Sequence, residues 1–132
     1  MNYKKKASLL LVLSLTITSL ALLLEWLPHG YVSFGYKLEI ALIEPLYMFG
    51  IATSLSLFIL FFLSNRIFKK WLAFNLWYLP LVIVVISFSP YVGDMQMFWG
   101  KRDLAQFFAT LHVFISLFIF FKHGRHSPNQ KS

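Results

Sequence analysis

The sequence predicts an all-α integral membrane protein: one antiparallel four-helix bundle with short loops and both termini on the cytoplasmic side. Three observations predict it. Hydrophobic residues make up 58% of the 132-residue chain and gather into four long runs, well beyond the composition of a soluble domain. A hydrocarbon core about 30 Å thick takes roughly 20 residues of helix to cross, so four crossings and their loops use up this sequence. Finally, all five carboxylates (Glu25, Glu39, Glu44, Asp94 and Asp103) fall in two alternate gaps between the runs. The other gap and both tails hold nine of the twelve Lys and Arg.

The spans follow in order within a single domain. The first is expected at about 7–27, introduced by Lys4, Lys5 and Lys6; a cleaved signal segment ending near Ser19 and Ala21 is the alternative. Pro28, Gly30 and Gly35 interrupt the pattern. Lys37 to Ile43 reads as a short helix leading into a second span at 45–64, where Pro45 suits a first helical turn. Asn65, Arg66, Lys69 and Lys70 read as a tight basic turn, which makes spans two and three a hairpin. The third span, 71–92, contains Pro80, which removes one backbone hydrogen bond and predicts a kink. A fourth span at 104–121 precedes a basic cytoplasmic tail, 122–132.

Charge sets the orientation. Lys4, Lys5, Lys6, Arg66, Lys69, Lys70, Lys122, Arg125 and Lys131 lie on one side, against Lys37, Lys101 and Arg102 on the other; short loops rich in Lys and Arg stay cytoplasmic. The formal charge of +7 is split among tails and one turn, so it reads as topology and contact with membrane lipid, not as a nucleic-acid surface. A bacterial inner membrane is the expected location. Trp26, Trp71 and Trp99, with Tyr47 and Tyr91, fall at span ends as an aromatic belt would. The chain has no cysteine, which excludes disulfides, thiol catalysis and thiolate metal sites.

Polar residues inside the spans are the candidate sites. His112 is the one ionisable side chain deep in a run, with Ser116 one turn away on the same face. Asn75 lies in the third span and is expected to bond another helix. A group of this kind either cross-links helices or relays protons. Haem ligation through His112 would need a second axial ligand from a partner chain. At the outer face stand Glu25, Glu39, Glu44 and Asp94, read as solvated or paired with Lys37, Lys101 and Arg102. His29, Met48, Met95 and Met97 form a set that copper would use, although methionine is equally an adaptable apolar residue. No cofactor is called for. Ala7, Ser14, Thr18, Ala21 and Glu25 share one stripe of the first helix. Gly50 with Ser54, Ala52 with Ser56, and Ala105 with Ala109 repeat the small-residue spacing that lets membrane helices approach closely.

No nucleophile–base pattern, phosphate loop or dinucleotide fingerprint is present, and no enzymatic activity is expected. Length and span count are similar to those of the small multidrug-resistance transporters, whose coupling acid is a membrane-embedded Glu of the first helix. Here the first-helix acid, Glu25, stands at the outer edge. The format is also similar to that of immunity proteins that guard inner membranes against pore-forming toxins. The leading expectation is a non-catalytic accessory, assembly or interaction subunit whose partner is another membrane protein or a second copy. The alternatives are a small oligomeric transporter coupled through His112, or an immunity-type inhibitor.

Overall fold

The computed structural model describes residues 2–26, 42–89 and 100–125, which form four helices: α1 (Tyr3–Trp26), α2 (Glu44–Phe61), α3 (Asn65–Ser87) and α4 (Lys101–Gly124). Each is long and apolar enough to cross a membrane. The large apolar side chains point outward, among them Leu9 and Leu23 on α1, Phe58 on α2, Trp77 on α3 and Phe118 on α4. On α1 what they enclose is small, Ala7, Ser14, Thr18 and Ala21, and on α2 Ala52, Ser54 and Ser56 are buried beside Leu57 and Leu60. Burying the small face of α1 and exposing its large one is the arrangement that suits a helix surrounded by hydrocarbon.

The helices outrun the apolar runs. α1 takes in Lys4, Lys5 and Lys6. The turn expected at Asn65–Lys70 is instead the opening of α3, and the connector shrinks to Phe62, Leu63 and Ser64. Ser64 is extended (φ −81°, ψ 158°), and its carbonyl accepts from the Ile67 and Phe68 amides at 3.1 Å. Arg66, Lys69 and Lys70 remain exposed on the helix, because long cationic side chains carry their charge to water while the backbone beneath stays helical. α3 runs unbroken through Pro80, which lies on its exposed face and costs one donor to the Leu76 carbonyl. It stops at Ser87, short of the expected 92. Ser87 and Ser89 turn their hydroxyls back to the Ile83 and Val85 carbonyls at 2.7 Å, a local bond that competes with helix continuation. At the start of α2, Leu42 and Ile43 already form a wide helical turn ahead of Glu44. The rest of the segment expected from Lys37, and residues 90–92, lie outside the described residues.

α1 packs most extensively on α2, α2 on α4, and α3 on α4. Between α1 and α2 the small residues interlock. Ser14 Oγ donates to the Gly50 carbonyl at 3.2 Å and stands 2.8 Å from Ser54 Oγ, while Thr18 Oγ1 donates to the Ser14 carbonyl at 2.7 Å. Gly50 is required by this approach: a Cβ there would overlap Thr18 Oγ1 and lie 3.0 Å from Thr18 Cβ. Ala52 and Ser56 are buried on the other side of the same helix, about 200° round from Ser54 at 100° per residue. Small residues on two faces let α2 serve two neighbours.

Two ends can be told apart. At the basic end, the first turns of α1 and α3 meet the last turns of α2 and α4. Tyr3 OH donates to the Leu63 carbonyl at 2.9 Å, and Ala7, Leu57, Leu60, Ile67, Phe68, Trp71 and Phe120 form one core. Further along, α2 and α3 diverge in spite of the three-residue turn that joins them. An apolar cleft of about 590 Å³ opens between α1, α2 and α3, from Leu10, Leu57 and Trp71 to Leu42 and Ser87. α4 takes no part in its lining.

Gly50→Ala should therefore destabilise the bundle by roughly 1–3 kcal/mol, the cost of overpacking a close contact, although Ala otherwise favours a helix. Unfolding followed by circular dichroism in mixed micelles should show the loss, and Thr18→Ala added to it should recover part.

Candidate functional site

α3 and α4 present matched stripes to each other. Buried residues of α3 from Trp71 onward are Trp71, Asn75, Tyr78, Val82 and Ile86; those of α4 after Lys101 are Ala105, Ala109, His112, Ser116 and Phe120. Both sets recur at three and four residues, the repeat of one helical face. Small Ala105 and Ala109 stand toward one end of α4, and the polar pair occupies the middle. His112, at 0% exposure the most enclosed ionisable side chain among those described, lies near the midpoint of a 24-residue helix roughly 36 Å long.

The three sequence candidates inside the spans are brought together. His112 Nε2 lies 2.7 Å from Asn75 Oδ1. Asn75 Nδ2 donates to the Trp71 carbonyl at 2.9 Å, which fixes the amide with its oxygen toward the imidazole. Nε2 is thereby the donor and carries the proton. Trp71 Nε1 donates to Ser116 Oγ at 3.0 Å. Tyr78 OH reaches across to the Phe108 carbonyl at 2.6 Å. Around the imidazole pack Phe74 and Tyr78, each with ring centroid at 5.7 Å, and Trp71 at 6.2 Å. His112 Nδ1 is buried and has no hydrogen-bond partner, leaving one lone pair enclosed by aromatic rings. With Nε2 taken and rings on three sides, the group is built as a helix cross-link.

A second cluster fastens the opposite end. Glu44 is 1% exposed and receives both Nε (2.7 Å) and Nη2 of Arg102, a two-pronged pair between α2 and α4. Arg102 keeps 60% of its side chain exposed, so one partner retains water while the other is enclosed. Lys101 is buried, and its Nζ donates to the Ile86 and Ser87 carbonyls at 2.6 and 2.9 Å. Those acceptors belong to the last turn of α3, whose carbonyls have no partner within the helix. Asp103 closes the first turn of α4 by accepting from the Gly100 amide at 3.1 Å.

Of the outer-face candidates, Glu44 is paired with Arg102 as one reading had it, and is buried rather than solvated. Glu25 is half-buried near the end of α1. Met48 is half-buried against the core around Tyr78 and Val82. Glu39, Asp94, His29, Met95 and Met97 lie outside the described residues. Among the described residues no three of His, Asp and Glu gather as a metal site. Sequence reasoning placed Trp71 in an aromatic belt; it is 2% exposed and belongs to the interior. It also missed Tyr78 and the carbonyl-capping role of Lys101. The legible signal for the first two was spacing, since Trp71, Asn75 and Tyr78 follow one another at four and three residues.

Asn75→Leu should cost about 1–3 kcal/mol by stranding His112 Nε2, with His112→Leu similar. The double variant should cost clearly less than the sum, as a double-mutant cycle by denaturant titration in micelles will show. Arg102→Gln should destabilise by a comparable 1–3 kcal/mol through the enclosed Glu44 carboxylate. Glu44→Gln added to it should recover stability, read as thermal aggregation midpoints in detergent.

Compared with known protein families, characterised proteins and solved structures, the chain shows no match; the functional reading rests on the site itself.

Proposed function

We propose that the chain is an integral protein of a bacterial inner membrane, an antiparallel bundle with both termini in the cytoplasm. In this reading it is a non-catalytic accessory or assembly subunit of a membrane complex. The observation that carries the reading is the mutual commitment of the buried polar groups. Trp71 with Ser116, Asn75 with His112, and Tyr78 with the Phe108 carbonyl all bond across one helix pair. These bonds make α3 and α4 a fixed unit, and the charged pair Glu44–Arg102 ties α2 to it. Such a unit offers neighbours a rigid apolar exterior, including Trp77 at 83% exposure, and a protein partner meets it by surface packing.

One observation favours a second reading. The unpartnered Nδ1 of His112 is a proton acceptor held in the middle of a span, the kind of group a small oligomeric transporter would couple to.

Native mass spectrometry of the tagged chain, purified from its own host in mild detergent, separates the two. A second protein in stoichiometric amount is the expected result. A homodimer whose pH-driven flux in vesicles disappears on His112→Ala would overturn the accessory reading. A monomer lacking any protein partner would also count against it.

A further inference from the structure

We propose that the cleft between α1, α2 and α3 holds one acyl chain of an anionic phospholipid, drawn from the leaflet at the basic end, with the phosphate against Lys6 and Lys69. This assignment rests on the membrane placement proposed above, and it stands or falls separately from the protein-partner reading.

Dimensions select the class of occupant. The cleft follows α3 from Trp71 to Ser87, about 24 Å at the helical rise. Its volume of about 590 Å³ is drawn out along that length, so the cleft is long and slender, the form that suits a hydrocarbon chain. The lining is apolar almost throughout, with Leu10, Leu13 and Ile17 facing Leu72, Leu79 and Ile83. Leu13 and Ile83 are also exposed at the surface, so the cleft opens sideways to the surroundings. Its polar floor has already been used: Ser14 is bonded to Gly50 and Ser54, and Asn75 to Trp71 and His112. Ser87 is bonded to the Ile83 carbonyl, which leaves Thr53 as a lone hydroxyl on an otherwise apolar wall.

Charge selects the end and the headgroup. On α1, Lys6 stands four residues before Leu10; on α3, Lys69 stands three before Leu72, each on the stripe that becomes the cleft wall. Both lysines are exposed, and the first turns of the two helices meet at this end. The two cations thus flank the mouth of the cleft beside the core that closes it, where an anionic phosphate would sit above its own chain. A chain from one leaflet reaches about 15 Å, half the hydrocarbon core, and passes Asn75 to end near Leu79 and Val82. The α1 wall from Leu10 to Ile17 spans about 11 Å, within that reach.

Trp71 lines the cleft yet is shut off from the outer surface, and this supplies the readout. The full-length chain with Trp26→Phe, Trp77→Phe and Trp99→Phe is reconstituted in vesicles of phosphatidylcholine and phosphatidylglycerol in equal amounts. Bromine is carried on the upper acyl chain of one lipid at a time. Bromine on phosphatidylglycerol should quench Trp71 far more strongly, reflecting a preference on the order of tenfold for the anionic lipid. Lys6→Gln with Lys69→Gln should abolish the preference, Lys4→Gln with Lys70→Gln should retain it, and Thr53→Phe, which fills the cleft, should reduce quenching by both lipids. Equal quenching by the two lipids in the parent would overturn the proposal. So would equal loss in both lysine pairs, which means diffuse surface charge, or quenching unchanged by Thr53→Phe, which places the chain elsewhere. Quenching relieved as protein density in the vesicle rises would assign the cleft to a second copy instead.

Discussion

Hydrocarbon offers no hydrogen bonds, and on the membrane reading that single fact organises the rest of this chain. Every backbone amide and carbonyl must be satisfied within its own helix or by a neighbour, and every buried polar side chain must find its partner inside the bundle. The bonds seen follow that demand. Serine and threonine hydroxyls return to carbonyls of their own helix or meet across α1 and α2, the Asn75 amide is used on both its atoms, and a lysine ammonium is spent on the end of α3. Among the described residues the demand is missed at one buried side-chain atom, His112 Nδ1.

Helix count and approximate position were legible in the sequence because four runs of membrane-spanning length and hydropathy stand apart from the rest. Contact faces were legible on α1, where Ala7, Ser14, Thr18 and Ala21 form the only small stripe in a run of leucines. Helix limits were not, because an apolar run ends where the side chains change and not where the backbone hydrogen bonding ends. Arg66 and Lys69 are compatible with both a loop and a helix whose side chains reach for water. The candidate site was half legible. An isolated His in an apolar run announces itself, and so does an Asn. Trp71 does not, since tryptophan is equally at home at an interface and in an interior. Lys101 was misjudged for a different reason: its partners are main-chain carbonyls, which leave no mark in the sequence.

The fastenings are unevenly distributed. One end is closed by packing among Ala7, Leu57, Phe68 and Phe120, with a single tyrosine hydrogen bond. The other is closed by charge, through Arg102 on α2 and Lys101 on α3, both from the first turn of α4. α1 takes its long contact from α2. The cleft is the geometric result: α2 and α3 share α4 as a neighbour more than they share each other, and the space left on the α1 side is not filled by side chains.

That division makes α4 the keystone, with a consequence for how the chain is made. Synthesis proceeds from the N-terminus, so α1 and α2 can interlock through Ser14, Gly50 and Ser54 as soon as both have emerged. α3 then waits. Until Lys101 and the residues after it arrive, the Asn75 amide, the Trp71 indole and the Tyr78 hydroxyl have no α4 to meet, and the Glu44 carboxylate has no guanidinium. A chain halted between α3 and α4 displays a tryptophan donor, an amide oxygen and a carboxylate that lack their native partners.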